Sequence, residues 1–255
     1  MSGRVAIYAA SGTSPTDVDG GQLRRRAESW LGRSVSGFPV TASSPEGWTR
    51  AAVDEITADA RRYGFHGTFK APFRLAEGRT LGELDAALAR FAAGHPPVVL
   101  PELALSRIGS FFALVPGAPA EPLNALAAEL VQEFDGFRAP PDAAETARRK
   151  PGALSGRQRE ALERWGYPYV LDDFRFHLTL TDRIEPRRQG EVDAVLRRWF
   201  ADSLGRTIQL DTLALFTELA PGEPFMLHSV HPLRGAIDPL LPDLHRPDVM
   251  AEGNA

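Results

Sequence analysis

Two short stretches constrain this chain more than any other feature: Phe65-His66-Gly67-Thr68-Phe69-Lys70 and Phe174-Arg175-Phe176-His177-Leu178-Thr179-Leu180-Thr181. Each carries His-x-Thr with apolar residues interleaved. Successive side chains on a strand point to opposite faces, so His66, Thr68 and Lys70 share one face, and Phe65 and Phe69 the other. In the second stretch Arg175, His177, Thr179 and Thr181 oppose Phe174, Phe176, Leu178 and Leu180. A shuffled chain with the same six His and thirteen Thr in 255 residues would hold about 0.3 such matches. Two matches at comparable places in the chain therefore call for a physical account.

The flanking residues supply one. Arg4 to Ala9 reads as a strand, and the Ser/Gly/Pro-rich segment Ser11 to Gly21 as a loop; it lacks the Gly-Lys-Ser/Thr ending of a phosphate-cradling P-loop. Residues 22–32 and 51–61 read as helices. After the first motif, Thr80-x-x-Glu83 has capping-box spacing and opens a helix that ends near Gly94. Residues 98–107 and 110–116 read as strands joined at Ile108-Gly109, and a helix with Pro122 near its start runs to about Phe134. A connector from Asp135 to Asp173 contains Pro140-Pro141, the Arg148-Arg149-Lys150 run and a Ser155-x-x-Gln158 capping box whose helix Gly166 ends. The second motif leads to a helix over 187–203 and strands over 207–218 and 225–232.

Both halves thus read His-x-Thr strand, helix, strand, strand. The repeat predicts an α+β, bilobed, pseudo-twofold fold in which each lobe is an antiparallel sheet backed by helices. Lobe 1 covers residues 1–136, connector and lobe 2 cover 137–235, and a Pro-rich tail covers 236–255, all within one bilobed domain. The two polar stripes then face each other across a cleft.

Composition narrows the function. No cysteine is present, which excludes disulfides and thiolate metal sites and fits a reducing cytoplasm. The N-terminal residues lack the hydrophobic stretch of a signal peptide, and no run is long enough to span a membrane. A formal net charge of −4 disfavours long nucleic acid as a partner while leaving a small phosphorylated substrate compatible. The sequence sets no oligomeric state.

Paired imidazoles suit a phosphorus centre, because one can take a proton from the attacking oxygen while the other protonates the leaving oxygen. Thr68 and Thr179 point the same way and can donate to non-bridging oxygens as charge builds. Lys70 and Arg175 add positive charge on the same faces. Tyr8 and Tyr167 are further candidates for substrate contact, whereas Tyr63 and Tyr169 read as packing residues. His228 and His231 point to opposite faces of a strand with no carboxylate nearby in sequence, so no metal site is expected. His95 and His245 read as exposed loop and tail residues, and Ser155 as a helix cap.

The duplicated motif, with its 111-residue separation, resembles the two-histidine (2H) phosphoesterase superfamily. The segments Arg62 to Phe73, Leu162 to Val170 and Phe174 to Thr181 resemble one branch more closely: uncharacterised proteins encoded beside carbon-phosphorus lyase genes in bacterial phosphonate operons. Gly67 and Phe69 depart from the Ala and Leu expected in that branch. The resemblance, from about Arg4 to about Leu233, implies a bilobed fold with a central cleft and metal-independent, cofactor-free cleavage of phosphodiesters by His66 and His177, with Thr68 and Thr179 on the phosphate. The operon context suggests a phosphoribosyl 1,2-cyclic phosphate as substrate. Its terminal phosphate would need a second anion site, for which Arg148, Arg149, Lys150 and Arg175 are candidates. Processing of RNA 2′,3′-cyclic or 2′,5′ linkages, and non-catalytic sensing of a phosphorylated ligand, stand as alternatives.

Overall fold

The computed structural model describes residues 3–13, 17–142, 145, 147 and 151–235. The Arg148-Arg149-Lys150 run and His245 lie outside the described residues. Among the described residues no helix is long and apolar enough to cross a membrane.

The architecture is α+β, built on a seven-stranded antiparallel sheet. Its strands are β1 (Arg4–Ala9), β2 (Gly67–Phe73), β4 (Ala104–Ile108), β5 (Phe111–Val115), β6 (Leu178–Thr179), β8 (Thr212–Glu218) and β9 (Met226–Pro232), in the order β4-β5-β6-β2-β1-β8-β9. Two short strands, β3 (Val98–Leu100) and β7 (Ile208–Leu210), form a separate pair. Each of the long strands expected over 98–107 and 207–218 is therefore broken in two. In the first, the break falls at Pro101-Glu102, where Glu102 adopts φ 48° and ends the extended run.

Capping chemistry fixes the helices where the sequence indicates. Thr80 and Ser155 form reciprocal capping boxes with Glu83 and Gln158, which satisfy the otherwise unpaired first-turn N–H groups of α4 (Leu81–Gly94) and of helix Gly156–Trp165. The first helix, α1 (Val18–Leu31), begins earlier than expected, because the Asp17 carboxylate accepts from Gly20 N at 2.8 Å and nucleates it there.

Alternation along β1 sorts the two faces of the sheet. Val5, Ile7 and Ala9 enter the main core with Leu23, Ala27 and Trp30 of α1, Leu84 and Leu88 of α4, and Leu123 and Leu130 of α5 (Glu121–Glu133). Burying each such leucine contributes about 1.5–3 kcal/mol, so the helices are held to this face. Ala6, Tyr8 and Ala10 turn to the other face, in a smaller cluster with Phe216 and Phe225.

The sheet has two wings that meet at one residue pair, Gly67 opposite Leu178. The wings do not follow the 1–136 and 137–235 division. The β4–β5 hairpin of the first half lies beside β6 of the second, and the β8–β9 hairpin of the second lies against β1, next to β2 of the first. A sequence repeat gives the order of elements but not which open strand edge each hairpin fills, and here the hairpins are exchanged.

Candidate active site

The seam between the wings is where the two motifs meet. Continuing the Gly67–Leu178 register one residue each way sets His66 opposite Thr179 and Thr68 opposite His177. In an antiparallel pair these positions lie on the same face, and the two imidazoles become diagonal neighbours about 7–8 Å apart at the strand. That spacing leaves room for a phosphate between them.

Backbone carbonyls orient both rings. His66 Nδ1 donates to Gly64 O at 2.8 Å and His177 Nδ1 to Arg175 O at 2.7 Å. The proton is thereby held on Nδ1, and each Nε2 is left to accept or release one. Gly64 holds its carbonyl in place with φ 77°, in a spot where a Cβ would meet Val35 Cγ1 at 2.1 Å; no other residue fits there.

The surroundings of the two histidines differ. Tyr8, fully buried, stacks on His66 with ring centroids 3.9 Å apart and planes 24° off parallel. Burial lowers the His66 pKa to about 4, with a smaller contribution from repulsion by His177. His177 is also lowered by burial, and its ring lies against the partly exposed Phe111 at 5.7 Å. Burial pushes the Tyr8 phenol well above its ordinary value, so it stays neutral.

A cavity of about 500 Å³ opens on this face, lined among others by His66, Thr68, Thr179, Tyr8, Tyr167 and Phe111. His177 is not in its lining and stands at its edge beside Phe111. Among the described residues, no group of three or more His, Asp or Glu is placed to hold a metal ion.

The structure does not bring every expected residue here. Lys70 is turned away by a β-bulge: Tyr8 pairs with Thr68 but Ile7 with Lys70, so Phe69 is the extra residue and the alternation resets. Lys70 is 3% exposed, and its ammonium donates to Val131 O at 2.9 Å and meets Asp135 at 3.5 Å. Arg175 is exposed, and its guanidinium folds back onto the carbonyls of Asp172 and Phe174. Thr181 does line the cavity, but its side chain is buried in the wall, where the hydroxyl accepts from Phe112 N and donates to Asp182 O. Away from the site, Asp85 of α4 accepts from His231 at 2.8 Å, a carboxylate brought close only by the fold. His95 is half-buried and bonded to Phe91 O and Glu129 rather than free in a loop.

Other residues emerge that local patterning does not indicate. The helix expected over 51–61 is two short ones, α2 (Arg50–Glu55) and α3 (Ala58–Tyr63), and Asp182 accepts from the backbone N–H groups of Asp59 and Ala60, capping α3, which leads into the first motif. The second motif is thus tied to the approach of the first. Arg4, Tyr63 and Arg183 also line the cavity.

The chain belongs to the family described as "Protein of unknown function (DUF1045)", whose sequence pattern matches residues 68–226. It is 37% identical over 217 residues to a ribose 1,5-bisphosphate phosphokinase PhnN of Janthinobacterium sp. (strain Marseille), an alignment covering 83% of this chain and 48% of that protein. It is 33% identical over 225 residues to the protein of the same name from Laribacter hongkongensis (strain HLHK9), covering 88% of this chain and 50% of the other. The chain spans about half the length of these relatives. Among solved structures, E. coli LigT complexed with 3′-AMP aligns over 90% of this chain and 96% of its own, with 14% identity and a TM-score of 0.40.

Proposed function

We propose that the protein is a phosphodiesterase that opens a small cyclic phosphate ester by paired-histidine acid–base catalysis. The observation that carries this reading is the Gly67–Leu178 pairing, which sets two His-x-Thr motifs across one seam on one face. His66, kept neutral at pH 7 by its enclosure, is the general base: its Nε2 takes a proton from water as the water oxygen bonds to phosphorus. The bond from phosphorus to the leaving ester oxygen breaks, and His177 Nε2–H gives that oxygen its proton. The anionic phosphate favours the charged form of His177 and so prepares it as the acid. The products are a phosphate monoester and a free hydroxyl. Thr68 and Thr179 donate to the non-bridging oxygens, and Tyr8 packs His66 into its working orientation. The two imidazoles handle both proton transfers, so the step requires no metal.

A phosphorylated ribose is the substrate class we favour. Chains similar to this one form about half of proteins named ribose 1,5-bisphosphate phosphokinases, while neither lysine of this chain, Lys70 or Lys150, follows a glycine as a P-loop lysine does. The kinase name therefore describes chemistry these residues do not supply, and the shared polypeptide supports a related sugar phosphate. The reading is tested by following a panel of ribosyl and nucleoside cyclic phosphates by phosphorus NMR in EDTA. His66→Ala and His177→Ala should each lower kcat by about 10²–10⁴ while remaining folded. The wild-type kcat/KM profile should fall on the acid side near pH 4, where His66 gains its proton. Full activity in either variant, or none without added metal, would sink the mechanism.

A further inference from the structure

Behind the catalytic cavity lies a second one of about 740 Å³. The two share Arg4, Asp59, Tyr63 and Pro72 as a common wall, so they form one cleft, larger than a single cyclic phosphate ring needs. At that wall Glu218 is 1% exposed and its acceptor capacity is full. Oε2 accepts from Arg4 Nε at 2.5 Å, and Oε1 accepts from Arg4 Nη2 at 2.9 Å, Arg62 Nη1 at 3.0 Å and Gly222 N at 3.0 Å. Two guanidiniums thus share one buried carboxylate. Arg62 Nη2 also donates to Tyr63 Oη at 2.9 Å, and the Tyr63 hydroxyl keeps its own O–H as a further donor at the wall. Asp59 reaches Arg62 only at 4.0 Å with its side chain 83% exposed, where water screens it. Of the remaining arginines of the second cavity, Arg74 is matched by Glu145 and Asp142, and Arg138 shares Asp135 with Lys70. The common wall therefore presents two guanidiniums and a phenol against one buried carboxylate, Glu218, and one water-screened carboxylate, Asp59.

We propose that this wall is a second anion subsite: the substrate whose phosphodiester lies between His66 and His177 carries a further oxyanion, a phosphate or a carboxylate, that docks on Arg62, Arg4 and Tyr63. This rests on the phosphodiesterase reading above. The test compares kcat/KM for adenosine 2′,3′-cyclic phosphate with that for the same compound bearing a 5′-phosphate, and with its 5′-carboxylate analogue. The wild type should prefer the 5′-phosphate or the 5′-carboxylate compound by about tenfold or more, as expected for hydrogen bonds to a charged group, and the two arms identify the anion. Arg62→Met leaves the Arg4–Glu218 pair whole while removing the Arg62 charge and its donors, so the preference should collapse toward one; Arg62→Lys should restore part of it. Equal rates for all three compounds in the wild type, or an undiminished preference in Arg62→Met, overturn the subsite. If the wild type turns over none of them, the phosphodiesterase reading fails separately, and calorimetry with the same compounds decides the subsite. Tighter binding of an additional anion in the wild type but not in Arg62→Met upholds it, and equal affinities overturn it.

Discussion

Lys70 lies two positions beyond Thr68 and yet on the opposite face of β2, because the strand carries one more residue than its partner between them. Its ammonium is spent on the C-terminal end of α5 and on Asp135, and burial lowers its pKa to about 8. Lys70→Met should therefore leave kcat/KM within about twofold and change stability by no more than about 1–2 kcal/mol, since Asp135 keeps Arg138. A hundredfold loss of kcat/KM in a folded variant would place the ammonium on the substrate instead. The common facing of His66 with Thr68, and of His177 with Thr179, was legible because strand alternation is a local rule. Lys70 was not, because a bulge is set by the partner strand. Arg62 and Glu218 meet across 156 residues of chain, which no local pattern reveals.

Among the elements, β2 and β6 matter most, since the site depends on a contact of one residue pair. Gly67 makes that contact possible: a Cβ there would lie 2.3 Å from the Phe176 ring and 3.2 Å from Leu178. The glycine of the first motif and the phenylalanine of the second are one packing unit, a reason for Gly67 that neither motif shows alone. Gly67→Ala should destabilise the protein by about 1–3 kcal/mol through overpacking and lower kcat by parting the seam. Adding Phe176→Leu should recover much of both, as measured by chemical denaturation and steady-state kinetics; an additive double variant would show the two residues to be independent. The capping boxes at Thr80 and Ser155 were readable because each is complete within four residues. The true length of β6 was not, since Phe174 to Thr181 has strand periodicity throughout and only the paired residues are strand.

At the scale of the molecule, folding stability should report the enclosure of His66. A group with a folded pKa of about 4 against an ordinary 6.5 binds fewer protons folded than unfolded between those values, so its contribution is complete above pH 6.5 and is lost as pH falls toward 4. The loss is of order 3 kcal/mol and should disappear in His66→Phe, read as the pH dependence of denaturation midpoints. An unchanged slope in that variant would assign the effect to other groups. The α+β class and the duplicated order of elements were visible in the sequence, because periodicity and caps recur in both halves. The pairing of halves was not, since it depends on which strand edge each hairpin reaches.

The exchange of hairpins bears on how such a protein is made. During synthesis the first histidine strand emerges long before β8 and β9, and the second finds beside it a β5 already waiting. The sheet that carries both motifs is therefore completed only when β8 pairs with β1 and β9 with β8.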